Sequence, residues 1–386
     1  MNFDLQWLLL GLPVAFALGW LGSRLDLRQW KREQHDSPRA YFKGLNLLLN
    51  EQQDKAIDAF IEAVQHDPDT SDLHFALGNL FRRRGEYERA VRVHEHLLNR
   101  ADLPRSDRDR AQHALAQDFM RAGLFDRAEE AYNALEGSAF ATEARLALLT
   151  LHERSHDWRS AVEMAQKLEQ TGTGSFSSRI AHYWCEIALE ADARHEAAQA
   201  DEALIHARAA ASGSARPLVL AGQRAHSAGH HVQALRDWGE LLVNHPLSFN
   251  LVTRDYAASA LACNEHVAAL DRLQKLYRRS PSMDLLAAIA MLDPAPAAQR
   301  QRLLTHLQEQ PTLSAAQELL RCASDSAPAL SADETKGLRE AIGRAAKPLQ
   351  RYRCAACGFE AQHYFWQCPG CLSWDSYPPQ RLEDLL

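Results

Sequence analysis

Leu73-His-Phe-Ala-Leu-Gly-Asn-Leu-Phe-Arg-Arg-Arg-Gly-Glu-Tyr-Glu-Arg-Ala-Val-Arg-Val-His-Glu-His-Leu-Leu98 is the stretch that decides the fold. Its small residues Gly78 and Ala90, with Leu77, Phe81 and Leu97 at apolar positions, have counterparts earlier in the chain. There Gly44, Ala56, Phe60 and Ala63 lead to Pro68, and Gly44 and Ala56 stand 34 residues before Gly78 and Ala90. A pair of helices explains such a period. Small residues at fixed points let helix A and helix B of a unit approach, while larger ones fill the space between units.

A 34-residue repeat of this composition is the tetratricopeptide signature. Further units run through Leu115, Phe119, Gly123, Ala128 and Tyr132, and through His152, Trp158, Ala161 and Leu168. Others run through Trp184, Ala188, Ala200 and Leu204, through Gly222, Gly229, Ala234 and Trp238, and through Ala257, Ala269, Leu273 and Pro281. Residues 103–109 separate two units, and Gln170-Thr-Gly-Thr-Gly-Ser-Phe-Ser-Ser178 reads as a flexible joint. After Pro281 the period gives way to helical stretches over about 284–292, 296–309, 314–323 and 332–346, expected to cap the array. In this register Asn79, Arg82, Gln117, Gln223 and His226 are candidates to face a partner-binding groove, against the plainer reading that they are solvated surface.

Two shorter segments flank the repeats. Residues 5–23 carry no charged side chain and as a helix would span roughly 28 Å, close to a bilayer core. Asp4 precedes them, which is unlike a secretory leader, and Arg24, Arg28, Lys31 and Arg32 follow. The positive-inside tendency then puts the amino terminus outside and the body in the cytoplasm.

At the other end, Cys354-Ala-Ala-Cys357-Gly and Cys368-Pro-Gly-Cys371 form two Cys-x-x-Cys pairs ten residues apart. Four thiolates aimed at one point make a tetrahedral sulfur site suited to zinc or a single iron. So small a module buries little core, so metal binding is expected to supply its folding free energy. Phe359, Tyr364, Phe365, Trp366 and Trp374 are expected either to pack around the site or to form a patch lying against the repeats.

Bulk composition narrows the function. A formal charge of −7 and pI near 6.2 argue against phosphate neutralisation, hence against a nucleic-acid-binding role. Cys185, Cys263 and Cys322 are scattered and odd in number, so they read as buried thiols rather than a disulfide framework. His152-Glu-Arg-Ser-His156 matches the zinc-protease pattern, but the repeat register places His156 in a turn, off the helical face of His152. The pairs His94/His96 and His230/His231 read as surface residues. No phosphate loop, nucleophile elbow or carboxylate pair stands out.

The run Tyr352-Arg-Cys-x-x-Cys-Gly-Phe359, Trp366-x-Cys-Pro-x-Cys371 and Trp374-Asp-Ser376 resembles the rubredoxin-type tail of the lipopolysaccharide assembly protein B family. The order of anchor, repeat array and knuckles is similar to that family over essentially the whole chain. The resemblance implies a single-pass protein of the bacterial inner membrane, amino terminus periplasmic and body cytoplasmic. It implies that the protein restrains lipopolysaccharide synthesis by helping the membrane protease FtsH degrade the deacetylase LpxC, and that it meets lipopolysaccharide assembly or export proteins. It also implies iron at Cys354, Cys357, Cys368 and Cys371, with zinc the alternative. Leu372 departs from the Gly expected after the second pair, and the segment between the pairs is short; both weaken a redox role.

The expected protein is thus all-α, a tetratricopeptide solenoid with an N-terminal transmembrane helix and a small C-terminal rubredoxin-like knuckle domain. Its segments are an anchor (1–23), a basic linker (24–37), the solenoid (38–281), capping helices (282–347) and the metal-binding domain (348–386). The expected function is a non-enzymatic adaptor with no nucleic acid or small-molecule substrate. A rubredoxin-like electron carrier is one alternative. A scaffold for envelope-assembly enzymes with no role in proteolysis is another.

Overall fold

A computed structural model of the chain describes residues 15–20, 42–47, 49–50, 52–66, 70–310, 312–323 and 332–385. The expected anchor lies mostly outside these; residues 15–20 are helical, with Phe16, Leu18 and Trp20 exposed. Among the described residues no helix is long and apolar enough to cross a membrane. The chain divides into two compact units, Met1–His156 and Asp157–Leu386.

Among the described residues of the first unit, after the helical residues 15–20 and 42–47, these helices follow one another: α1 (Gln53–His66), α2 (Ser71–Arg84), α3 (Tyr87–Leu98), α4 (Arg105–Ala122), α5 (Phe125–Asn133) and α6 (Ala141–Ser155). Each packs mainly on its sequence neighbour. Helices α2 and α4 stop where Gly85 and Gly123 turn left-handed at φ 83° and 75°, and their N–H groups cap Arg82 and Met120 carbonyls. The core around Phe60, Leu73, Leu77, Leu80, Phe81 and Ala90 is apolar. Beside it lies a buried polar network. His94 Nδ1 is 2.5 Å from Asp118 Oδ2, Arg82 donates to Asp118 Oδ1 at 2.9 Å, and His94 and Asp118 are both fully buried.

The second unit holds α7 (Trp158–Gln170), α8 (Ser177–Ala193), α9 (Ala197–Ala210), α10 (Arg216–Ser227), α11 (His231–Asn244), a 3-10 turn (Ser248–Val252), α12 (Thr253–Ala262) and α13 (His266–Arg279). It continues with α14 (Met283–Leu292), α15 (Pro296–Glu309), α16 (Leu313–Ala323), α17 (Ala332–Ala346), the strands β1 (Tyr352–Arg353) and β2 (Glu360–Ala361), and the short α18 (Leu382–Leu385). Trp238, Phe249, Tyr256, Leu273, Leu285 and Ile289 form its core. Residues 170–178, expected to be a flexible joint, carry bonds to the end of α7. Glu169 Oε1 accepts from the Phe176 amide at 2.5 Å and from Ser177 at 3.0 Å, and Thr171 bonds back to the last turn of α7.

One packing device recurs in both units. A Cβ on Gly78 would lie 2.5 Å from His94 Nε2, and a Cβ on Gly222 would overlap the Trp238 indole. In each case the ring sits sixteen residues downstream, 78 to 94 and 222 to 238, and the same holds between Gly44 and Phe60. The helix A glycine is the seat into which a helix B ring fits, and this is why small residues mark the period.

Candidate metal centre

Residues 352–377 build the site from two matching turns. Cys354 N–H donates to Phe359 O at 2.9 Å and Gly358 N–H to Cys354 O at 2.9 Å; in the second turn Cys368 N–H donates to Ser373 O at 2.9 Å and Leu372 N–H to Cys368 O at 2.8 Å. The residue closing each turn must be left-handed. Gly358 does this at φ 77° without cost, whereas Leu372 adopts φ 59° with its side chain half exposed. Antiparallel β1 and β2 pair Tyr352 with Ala361 and Arg353 with Glu360, holding the first turn. Gln367 bridges Trp374 and holds the second.

The turns bring all four sulfurs within 4.8 Å of one another. Cys354 Sγ is 3.9 Å from Cys371 Sγ, and Cys357 Sγ is 3.6 Å from Cys368 Sγ. A metal with bonds of about 2.3 Å to sulfur needs edges of about 3.8 Å, so the geometry fits a tetrahedral ion. Among the described residues this is the one group of His, Cys, Asp or Glu side chains gathered closely enough to hold a metal. Cys354 and Cys368 are buried, while Cys357 and Cys371 lie nearer the surface.

The surroundings prepare thiolates unequally. Ser376 Oγ, 3.3 Å from Cys354 Sγ, helps draw that thiol down to about 6, and Ser373 lowers Cys371 in the same way. The Phe359 amide favours a Cys357 thiolate, yet desolvation and the three neighbouring sulfurs push it up to about 12. Four thiolates cannot share this space without a cation between them. A bound ion would be held by Cys354, Cys357, Cys368 and Cys371 and would supply Lewis-acid cross-linking or, if iron, a one-electron couple.

The second turn also docks the module onto its own unit. The Trp374 ring stacks on His182 at 4.7 Å and 17°, and meets Trp158 and Tyr183 edge-on. Asp375 accepts from His182 Nε2 at 2.7 Å and from Ser178 Oγ at 2.9 Å. Arg216, 4% exposed, lies 5.7 Å from the Trp366 ring and 5.8 Å from the Trp374 ring, and donates to Glu186 at 2.7 Å. Farther on, Arg381 pairs with Asp284 at 3.1 Å and Ser314 donates to Glu383 at 2.6 Å, clasping the tail to α14 and α16. The aromatic residues therefore divide. Trp366 and Trp374 face the helices, Tyr364 packs between Tyr352 and Trp366, and Phe359 and Phe365 stay exposed.

Other candidates fall elsewhere. His152 is buried in α6 and His156 is its left-handed C-cap at φ 59°, so they do not share a helical face. His94 is not on the surface as expected: it is fully buried because Asp118 and the Gly78 seat receive it. Of the groove candidates, Arg82 is taken up by Asn79, Ala114 and Asp118, Gln117 lies 3.4 Å from His113, and His226 bonds Ser259. Gln223 lines a cleft of about 440 Å³ with Asn250, Tyr352, Tyr364 and Trp366. The docking set His182, Arg216 and Asp375 went unread in the sequence; the one hint was Trp374-Asp-Ser376 just beyond the knuckles. Cys185 is buried, its thiol pushed up to about 12 by desolvation, and Cys263 is half-buried against the core.

Helix-pair repeats whose C-terminal four-sulfur module folds back on them define a class, the helical-repeat proteins with a rubredoxin-type tail. The family described as "Rubredoxin metal binding domain" matches residues 352–378. Lipopolysaccharide assembly protein B of Escherichia coli K12 is 31% identical over 98% of this chain and 98% of its own, and that of Haemophilus influenzae is 29% identical over 97% and 98%. The chain belongs to the lipopolysaccharide assembly protein B family. Among solved structures, a tetratricopeptide repeat protein from Parabacteroides merdae is similar over 66% of this chain and 98% of its own, at 14% identity and a TM-score of 0.33.

Proposed function

We propose that this protein is a membrane-tethered, non-enzymatic adaptor of lipopolysaccharide assembly. In this reading residues 5–23 anchor it in the inner membrane with its body cytoplasmic, and Cys354, Cys357, Cys368 and Cys371 ligate one metal ion, iron in the family's usual form or zinc. It lowers commitment to lipid A by bringing LpxC to FtsH, and it couples synthesis to export proteins. Whole-length kinship with proteins named for lipopolysaccharide assembly supports the pathway. The observation that carries the adaptor reading is the placement of the sulfur centre: Trp374 and Asp375, which follow its second turn, are spent on the protein's own helices. Tethering raises the local concentration of the repeats towards membrane partners.

The test is LpxC half-life in a deletion strain complemented with the full chain or with a chain lacking residues 1–23. The full chain restores fast turnover and the untethered chain does not. Equal turnover in all three strains removes the proteolytic role and leaves the scaffold reading. An electron carrier is favoured by the surface position of Cys357 and Cys371. It requires a reversible iron couple, and a zinc-loaded chain with full effect on LpxC removes it.

A further inference from the structure

The residues that dock the module are the same residues that the sulfur turns hold in place. Trp366 and Asp375 are joined by the Asp375 N–H to Trp366 O bond at 2.9 Å, Gln367 bridges Trp374, and between them lie Cys368 and Cys371. The four residues Trp366, Gln367, Trp374 and Asp375 therefore form one face only while the intervening loop is closed, and a metal at the four sulfurs is what closes it.

The surface beneath is poorly suited to permanent burial. His182 is fully buried and Arg216 is 4% exposed, yet among the described residues His182 Nδ1 and Arg216 Nε have no hydrogen-bond partner. Leaving buried polar atoms unpaired is unfavourable, so the cover holds only if its face arrives preorganised. When the loop opens, the ordering of that face is lost and the balance reverses.

We propose that the four-cysteine centre is the latch of an internal cover. Metal-loaded, the Trp366–Asp375 face lies over α7, α8 and α10; metal-free, it leaves, and the surface of Ser178, His182, Tyr183 and Arg216 becomes an acceptor for a protein segment in which an aromatic residue is followed by a carboxylate. That chemistry is read from the occupant the structure already shows. The aromatic ring stacks on His182, and the carboxylate takes hydrogen bonds from His182 and Ser178 beside the Arg216 charge. The inference rests on the four cysteines holding a metal. Metal content of the purified chain, measured first, separates failure of that premise from failure of the latch.

The experiment is hydrogen exchange on the full chain, loaded, stripped by chelator, and carrying Cys354→Ser with Cys357→Ser. Stripping is expected to speed exchange in 176–190 and 364–377 and to leave 285–292 unchanged. Unchanged exchange in 176–190 after complete metal loss overturns the proposal. A labelled peptide, Leu-Ser-Trp-Asp-Ser-Tyr-Pro from residues 372–378, is expected to bind stripped chain and not loaded chain. Its Asp→Asn form should bind about tenfold more weakly, as loss of a charge-assisted hydrogen bond implies. Equal binding to loaded and stripped chain also overturns the proposal. Trp374→Ala keeps the cysteines, so a loaded Trp374→Ala chain with fast exchange in 176–190 supports the cover; a loaded chain with unchanged exchange refutes it.

Discussion

His182 Nε2 donates to Asp375 Oδ2 at 2.7 Å across 193 positions of sequence. Burial alone would raise the Asp375 carboxyl, but hydrogen bonds from His182 and Ser178 and the nearby Arg216 charge hold it below the usual carboxylate range. A carboxyl lowered by folding stabilises at pH above its unfolded value and stops doing so as pH falls through the lowered one. Docking therefore weakens below about pH 4, read as protease cleavage near 351–353. Asp375→Asn docks more weakly at pH 7 and loses this contribution to the acid response.

Leu372→Gly is expected to stabilise the knuckle by about 1 kcal/mol, because a non-glycine residue at φ 59° carries left-handed strain. Half of the Leu372 side chain is in solvent, so little packing is lost. Slower metal release to a chelator is the readout, and faster release refutes the strain argument.

Cys354→Ser with Cys357→Ser is expected to abolish stoichiometric metal binding and to unfold the knuckle while the helices keep their far-UV dichroism. The apolar cluster of Tyr352, Cys354, Cys368 and Tyr377 is too small to fold the module unaided. Chelator added to the unaltered chain should reproduce the effect, and metal analysis with dichroism checks both.

Gly78→Ala and Gly222→Ala set two effects against each other. Alanine gains up to about 1 kcal/mol of helix propensity, while overpacking against the His94 or Trp238 ring costs about 1–3 kcal/mol. Overpacking wins, so both variants melt lower in thermal denaturation, whereas Gly239→Ala, with nothing within 4 Å of its Cβ, melts higher.

Asp118→Ala leaves the Arg82 and His94 partners facing a buried gap and is expected to cost about 3–5 kcal/mol. Removing exposed Glu88, paired with Arg92 at 3.5 Å, should cost under about 0.5 kcal/mol. Urea unfolding of the two variants compares them directly.

Much of the repeat architecture was legible because it rests on local rules. The spacing from Gly78 to Ala90 reports helix packing, and α14 to α17 begin and end within a residue or so of the stretches read from the sequence. The sulfur cluster was legible for the same reason, since two tight turns suffice to build it. What sequence could not supply was long-range. His94 looked like a polar surface residue, because nothing near it announces Asp118, 24 positions away. Likewise nothing in Gln170–Ser178 announces that Glu169 ties the loop down, and no local pattern links Trp374 to His182. In the second turn the sequence shows Leu372 where a Gly is expected, and the backbone angle adds that it keeps the glycine's left-handed conformation.

The 193-position separation of His182 and Asp375 also fixes an order of events at the ribosome. From the end of α10 at Ser227 to Asp375 the chain runs 148 positions (375 − 227), so synthesis at roughly 5–20 residues per second leaves an interval of about 7–30 s in which α8 and α10 are made and their cover is not. During that time every nascent chain displays the aromatic and cationic surface that the finished protein hides. A chain truncated before Trp374 displays it permanently, with or without metal.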